Sequence, residues 1–170
     1  METANKFFNI VGLIDKQVQL LDSIGPSLLK TAIIDGVYEK TQFTPPDNST
    51  WAKELTIFKS ADINKPILAD SYELIETKIS GSKSIIYKSK FPKTTQVDSL
   101  ALSFLDNEEN PIKIHARITS VNALFESEKN LDLTFKNANT QSMLSNYKIE
   151  GWQKMISKDS TTYLIEGFVR

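Results

Sequence analysis

The segment from Trp51 to Tyr72 reads WAKELTIFKSADINKPILADSY, and its pattern determines the predicted architecture. Its first half places Trp51 and Phe58 two turns apart on the apolar face of a short helix, where two such rings can anchor the helix on a sheet. Its second half ends in the corner Asp62–Pro66, because proline cannot extend a helix and biases the residue before it towards an extended conformation. The stretch therefore predicts a docked helix and then a turn that starts the first of many strands.

The segment before this stretch opens with an amphipathic pattern. Apolar residues recur with the 3.6-residue period of a helix from Asn5 to Ile24. Gly25 and Pro26 end this pattern, so the first helix is predicted to stop near Ser23 or Ile24. Its polar face is not rich in lysine or arginine, which favours packing on a core over lying on a membrane surface.

The next segment favours a hairpin. Asp35-Gly36 separates two strand-forming runs, Thr31–Ile34 and Val37–Phe43, and this dipeptide is typical of a two-residue hairpin turn. The alternative is a short helix over Ser27–Ile34. One side chain of Asn48-Ser49 is expected to cap the helix that contains Trp51.

Beyond Tyr72 the chain predicts a series of strands separated by turn signals. Ile112, Ile114, Ala116 and Ile118 alternate with polar residues, as expected for a strand with one buried face. The alternation breaks at Glu128-Lys129-Asn130, where a hairpin tip or a bulge is expected. The fold class is therefore α+β, with N-terminal amphipathic helices packed on a curved antiparallel meander. The predicted strands cover residues 72–79, 84–89, 97–105, 112–120, 123–135, 143–155 and 161–169.

The composition excludes several classes of function. The 170 residues fit a single domain, 1–170, in which residues 1–5 form a polar leader. Twenty basic and 21 acidic residues give a net charge of −1, so nucleic acid is not an expected partner. The absence of cysteine excludes disulfides and thiolate metal sites. No apolar run approaches the roughly 20 residues that span a bilayer, so attachment to a membrane would need a lipid anchor.

The polar motifs predict no catalytic or metal centre. His115 is the only histidine, which leaves a histidine-rich metal site or a serine triad poorly supported. Lys113, His115 and Arg117 share the polar side of one strand, and they form either a basic row that faces a partner or an anion, or an ordinary solvated surface. Asp62 and Asn64 have the spacing that opens a calcium loop, but the glycine and distal glutamate of such a loop are missing. We therefore expect a protein without enzymatic activity, cofactor or metal.

The sequence resembles one protein family in three stretches, which are Trp51–Tyr72, Asn122–Leu131 and Tyr147–Met155. That family comprises uncharacterised cell-envelope lipoproteins of Bacteroidetes, and the resemblance spans most of the chain. It implies a lipid-anchored protein whose signal peptide ends at a lipidated cysteine. Because this chain has no cysteine, a periplasmic or outer-membrane-anchored location requires that the signal peptide and this residue have been removed. No activity or catalytic residue comes with the resemblance.

Aromatic residues on the predicted sheet suggest a ligand site. A curved sheet covered by helices can enclose an apolar cavity, and lipoprotein carriers of the half-barrel type are built on that plan. The leading hypothesis is a non-enzymatic envelope lipoprotein domain that binds a hydrophobic small molecule, a lipid or an envelope protein. The alternative is a structural or interaction module that uses an exposed sheet face or edge, in which case the aromatic rings simply fill the core. The candidate ligand-binding residues are Phe104, Phe125, Phe135, Tyr147 and Trp152.

Overall fold

The computed structural model describes residues 6–138 and 141–170, so the predicted leader, residues 1–5, lies outside the described part. In chain order the elements are α1 (Ile10–Ile24), β1 (Leu28–Ile34), β2 (Val37–Phe43), α2 (Asn48–Leu55), β3 (Tyr72–Ile79), β4 (Ser82–Ser89), β5 (Val97–Leu105), β6 (Lys113–Val121), β7 (Phe125–Ala138), β8 (Gln141–Met155) and β9 (Thr161–Val169). The strands form one open antiparallel sheet in the order β2-β1-β9-β8-β7-β6-β5-β4-β3. Both helices pack on one face, which we call the helix side; the other face is the open side.

The first helix ends where its sequence predicts but begins later than its apolar period predicts. It starts at Ile10 because the side chain of Asn9 accepts a hydrogen bond from the backbone N–H of Gly12 at 2.9 Å and caps the first turn. It ends because Gly25 adopts the left-handed conformation, with φ of 66°, and its N–H donates to the carbonyl of Leu21. Its buried residues are Ile10, Ile14, Gln17, Val18 and Leu21.

The hairpin at Asp35-Gly36 is confirmed, and the alternative of a short helix there is wrong. Both turn residues have positive φ, 48° and 83°, as a turn that matches the twist of the flanking strands requires. β1 also pairs along its whole length with β9, from Leu28 opposite Val169 to Ile34 opposite Tyr163. The hairpin thus extends the sheet beyond the last strand, which no local pattern in the sequence predicts.

The second helix docks on the sheet as predicted, but it is capped differently. Asp47, not Asn48-Ser49, is the cap, because its carboxylate accepts from the backbone N–H of Thr50 at 2.8 Å. The helix continues into a 3₁₀ turn, so that Trp51 and Phe58 are both fully buried against the helix side. This arrangement confirms the interpretation of the two rings as anchors.

The Asp62–Pro66 corner ties the start of the chain to the sheet. The side-chain amide of Asn64 accepts from the N–H of Phe7 at 2.9 Å and donates to the carbonyls of Phe7 and Phe8 at 3.2 and 3.0 Å. Asp62 in turn accepts from the N–H of Asn64 at 3.0 Å, forming a local turn. The side chain of Asn64 therefore supplies hydrogen-bond partners to the backbone of the segment that leads into α1.

The predicted meander is confirmed, with one correction. β3 to β9 follow one another as antiparallel neighbours. The expected hairpin tip or bulge at Glu128-Lys129-Asn130 is wrong, because β7 runs through these residues and Lys129 keeps regular pairing with Ile118 on β6 and Gly151 on β8. A register shift occurs further along β7, between Thr134 and Phe135.

The structure confirms the predicted α+β class, with helices packed on an antiparallel sheet. The core lies between the helices and the middle strands of an open sheet, and likeness to a half-barrel carrier is not confirmed. Among the described residues, no helix has the length and apolar character needed to cross a membrane.

Candidate functional site

The structure separates the five predicted ligand-binding aromatics. Phe104, Phe135 and Tyr147 are buried core side chains beneath the helices. Phe125 is partly exposed at the far end of β7, and Trp152 lies on the open side. The rings of Tyr147 and Phe58 meet edge to face with centroids 5.5 Å apart, so this part of the helix side is filled by protein. The five residues therefore do not form one site.

A polar cluster lies at the edge of this core. The hydroxyl of Tyr147 donates to Glu54 on α2, and the ammonium of Lys30 lies 2.6 Å from the same carboxylate oxygen. Burial, followed by the hydrogen bond to Glu54, raises the pKa of Tyr147 well above its ordinary range. The tyrosine therefore remains protonated and the carboxylate is satisfied by two donors, which is the arrangement of a structural network.

The predicted basic row lies on the open side, where acidic neighbours neutralise two of its members. The guanidinium of Arg117 makes two hydrogen bonds to Glu128, at 3.1 and 3.0 Å, and the hydrogen bond lowers the pKa of that carboxyl. His115 Nδ1 lies 2.8 Å from Asp132 Oδ1 on the next strand. Lys113 is exposed beside them. This pairing favours the solvated-surface interpretation over an anion site.

The open side contains two of the three side chains of a catalytic triad, a histidine and an aspartate. Asp132 can orient His115, but the residue opposite the histidine on β5 is Ala101. The serines at 99 and 103 flank that alanine, and within the described chain neither donates a hydrogen bond to the imidazole. A nucleophile needs such a contact with its base. No group of three or more metal-ligating side chains is found in residues 6–138 and 141–170.

The helix side is only partly covered by helices, and its uncovered part begins at one row of residues. Strand register places Ile34, Tyr163, Gly151, Lys129 and Ile118 side by side on β1, β9, β8, β7 and β6, and we call this set the boundary row. Its apolar members Tyr163 and Ile118 pack against the core while remaining partly exposed. With neighbouring strands 4.7–4.9 Å apart, the row spans about 19 Å.

Glycine at position 151 shapes the middle of this row. A Cβ atom there would lie 2.2 Å from the carbonyl oxygen of Glu128, 2.9 Å from Tyr163 Oη and 3.1 Å from Lys129 Cα. Only a residue without a side chain permits this approach. The phenol of Tyr163 therefore lies across β8 towards Lys129, and burial raises its pKa.

A hydroxyl-rich cleft adjoins the β6 end of the boundary row. It measures about 530 Å³ and lies between the loop at residues 92–96 and the end of β6. Ser120, which lines the cleft, is two residues from Ile118 on the same face of the strand. The boundary row therefore ends beside a polar cleft at β6.

No family model, curated protein or solved structure matches this chain. The resemblance to envelope lipoproteins therefore stays a prediction, and the site must be argued from its own residues.

Sequence reasoning missed the boundary row although one signal was present. In β7, residues 127, 129, 131, 133 and 135 share the helix side, and Lys129 is a charged residue in that otherwise largely apolar series. This break in the alternation predicts a hairpin tip or a bulge at Glu128-Lys129-Asn130. It marks instead the point where the strand leaves the cover of the helices.

Proposed function

We propose that this chain is a non-enzymatic binding domain of the cell envelope that holds an acyl chain or similar apolar ligand along its boundary row. The observation that carries the proposal is the partial exposure of this row next to a solid core. Ile34 and Tyr163 are neighbours on β1 and β9 and both expose apolar surface, and adjoining exposed apolar side chains can mark a binding site because leaving them in water is unfavourable. A linear apolar molecule lying across the strands would cover them.

The shape of the surface supports a narrow ligand. The row is bounded on the core side by buried residues such as Leu131 and Ile149 and on the other side by polar residues such as Ser120, Ser127 and Gln153. A ligand one chain wide can contact the apolar strip without covering the polar margin. The buried aromatics Phe104, Phe135 and Tyr147 support this strip from beneath the helices and do not contact the ligand.

The location rests on the resemblance alone. The proposal places the domain in the periplasm or on the outer membrane, held there by a lipid on a cysteine that this chain lacks. Subcellular fractionation of the natural protein, with mass spectrometry of its first residue, tests this part separately from ligand binding.

Binding is tested by titrating delipidated protein with N-phenyl-1-naphthylamine, a neutral apolar fluorophore. β1 offers a matched pair of variants, because Ile34 in the boundary row and Ile33 on the open side are similarly exposed, 47% and 39%. Ile34→Glu should weaken binding about tenfold, which corresponds to about 1.4 kcal/mol, whereas Ile33→Glu should leave it unchanged. Absence of saturable binding by the unaltered protein, or equal losses in both variants, would overturn the proposal.

A second candidate function is protein interaction through the sheet edges. β2 and β3 are the edge strands of the sheet that residues 6–138 and 141–170 form, and β2 exposes 64% of Val37 and 58% of Tyr38. Unpaired backbone groups beside apolar side chains can accept an additional strand from a partner. This candidate predicts that a partner protects β2 amides from hydrogen exchange, while the boundary row remains accessible to the fluorophore.

A further inference from the structure

Lys129 is the charged member of the boundary row. It lies between Ile118 and Gly151, and its side chain is partly buried on the helix side. In residues 6–138 and 141–170, no carboxylate lies within ion-pairing distance of its ammonium. By contrast, Lys30 on the same face is paired with Glu54 at 2.6 Å. Lys129 therefore offers a positive charge in this row that no carboxylate of the described residues neutralises, and it is available to an anion.

Tyr163 adds a second donor at the same place. Its Oη lies over Gly151 on the side of β7, and within the described chain it has no hydrogen-bond partner. Burial alone accounts for the raised pKa of Tyr163, so the phenol keeps its proton and acts as a donor. Lys129 and the phenol of Tyr163 both adjoin Gly151 in the boundary row, and a few polar groups beside apolar side chains are the usual composition of a ligand site, in which they fix the orientation.

We propose that Lys129 and Tyr163 hold the acidic head group of the ligand, which is therefore an anionic amphiphile such as a fatty acid. This inference rests on the proposed function and specifies its ligand. The head group lies at β7, beside the hydroxyl-lined cleft, and the apolar tail runs across β8 and β9 to Ile34. That path covers three strand spacings, about 14 Å.

The head-group preference is tested with laurate and lauryl alcohol, which share one chain and differ in charge. Each ligand displaces the neutral fluorophore from delipidated protein, below its micelle concentration. The unaltered protein should bind laurate at least about tenfold more tightly than the alcohol. Lys129→Met should remove this preference by weakening laurate alone, and Lys129→Arg should keep it. Tyr163→Phe should reduce the preference by a smaller factor.

The matched control is Lys40→Met, an exposed lysine on the open side of β2, which should bind both ligands as the unaltered protein does. Thermal unfolding of each variant verifies that it is folded. Equal affinity for laurate and lauryl alcohol, or a preference that survives in Lys129→Met, overturns the head-group assignment and leaves the proposed function in place. Failure of the fluorophore and of both ligands to bind overturns both.

Discussion

Replacing Gly167 by alanine tests how tightly the core beneath α2 is packed. A Cβ atom at this position would lie 2.2 Å from Cε1 and from Cζ of Tyr147, whereas carbon atoms in contact are normally about 3.5–4.0 Å apart. The ring would have to move by more than about 1 Å. It is held in place by the edge-to-face contact with Phe58 and by its hydrogen bond to Glu54.

The expected cost lies at the upper end for overpacking a core, about 3 kcal/mol. Since domains are stable by about 5–15 kcal/mol, the loss is easily measured by urea denaturation. For a chain of this length it corresponds to a fall in melting temperature of about 6–12 °C. This loss comes from the steric clash alone. Without the clash, alanine would be more favourable than glycine in a strand.

A second substitution separates this clash from other effects. In a Tyr147→Leu background the ring is absent, so Gly167→Ala should be neutral or should stabilise by up to about 1 kcal/mol. The sign of the effect therefore depends on Tyr147, and the double-mutant cycle should give a coupling of about 3 kcal/mol. The reasoning is refuted if Gly167→Ala is harmless in the unaltered protein or costs the same in both backgrounds.

Three further predictions concern the corner, the open side and the tryptophans. Asn64→Ala removes three hydrogen bonds and should lower the free energy of unfolding by about 1–3 kcal/mol, with faster amide hydrogen exchange just before α1; unchanged exchange there would contradict the proposed tie. Because Arg117 lowers the pKa of Glu128 from its usual 4.5, their pair stabilises the fold above that pH and loses this contribution as pH falls through the lowered pKa. Arg117→Met should therefore flatten the acid dependence of the urea midpoint, and a curve parallel to that of the unaltered protein would count against the pair. Iodide should quench Trp51→Phe, which retains the partly exposed Trp152, more strongly than Trp152→Phe, and equal quenching would show that one of the two indoles is misplaced.

Local features of the fold could be predicted from the sequence. The hairpin follows from the turn chemistry of Asp35-Gly36, and α2 follows from the apolar spacing of Trp51 and Phe58. The pairing of β1 with β9 could not be predicted in this way, because it joins distant parts of the chain and leaves no local pattern.

The candidate site was harder to predict because side-chain direction in a strand depends on residue parity. Tyr147 and Trp152 are separated by an odd number of positions on one uninterrupted strand, so they face opposite sides of the sheet. Phe125 and Phe135 share a face, but ten residues of strand place them about 33 Å apart. Lys129 predicts a hairpin tip or a bulge, because a charge that breaks the alternation of a strand marks the end of the helical cover only once the extent of that cover is known.

The pairing of β1 with β9 also determines when the molecule can finish folding. Leu28 lies opposite Val169, so the sheet is incomplete until β9 has been synthesised. Until then the N-terminal hairpin has only its own two strands, which are marginally stable in water. Non-local strand pairing of this kind predicts slower folding, and a nascent chain with an unoccupied edge is a natural substrate for chaperones and proteases. Removal of β9 would therefore release the hairpin of β1 and β2, although the two elements are far apart in the sequence.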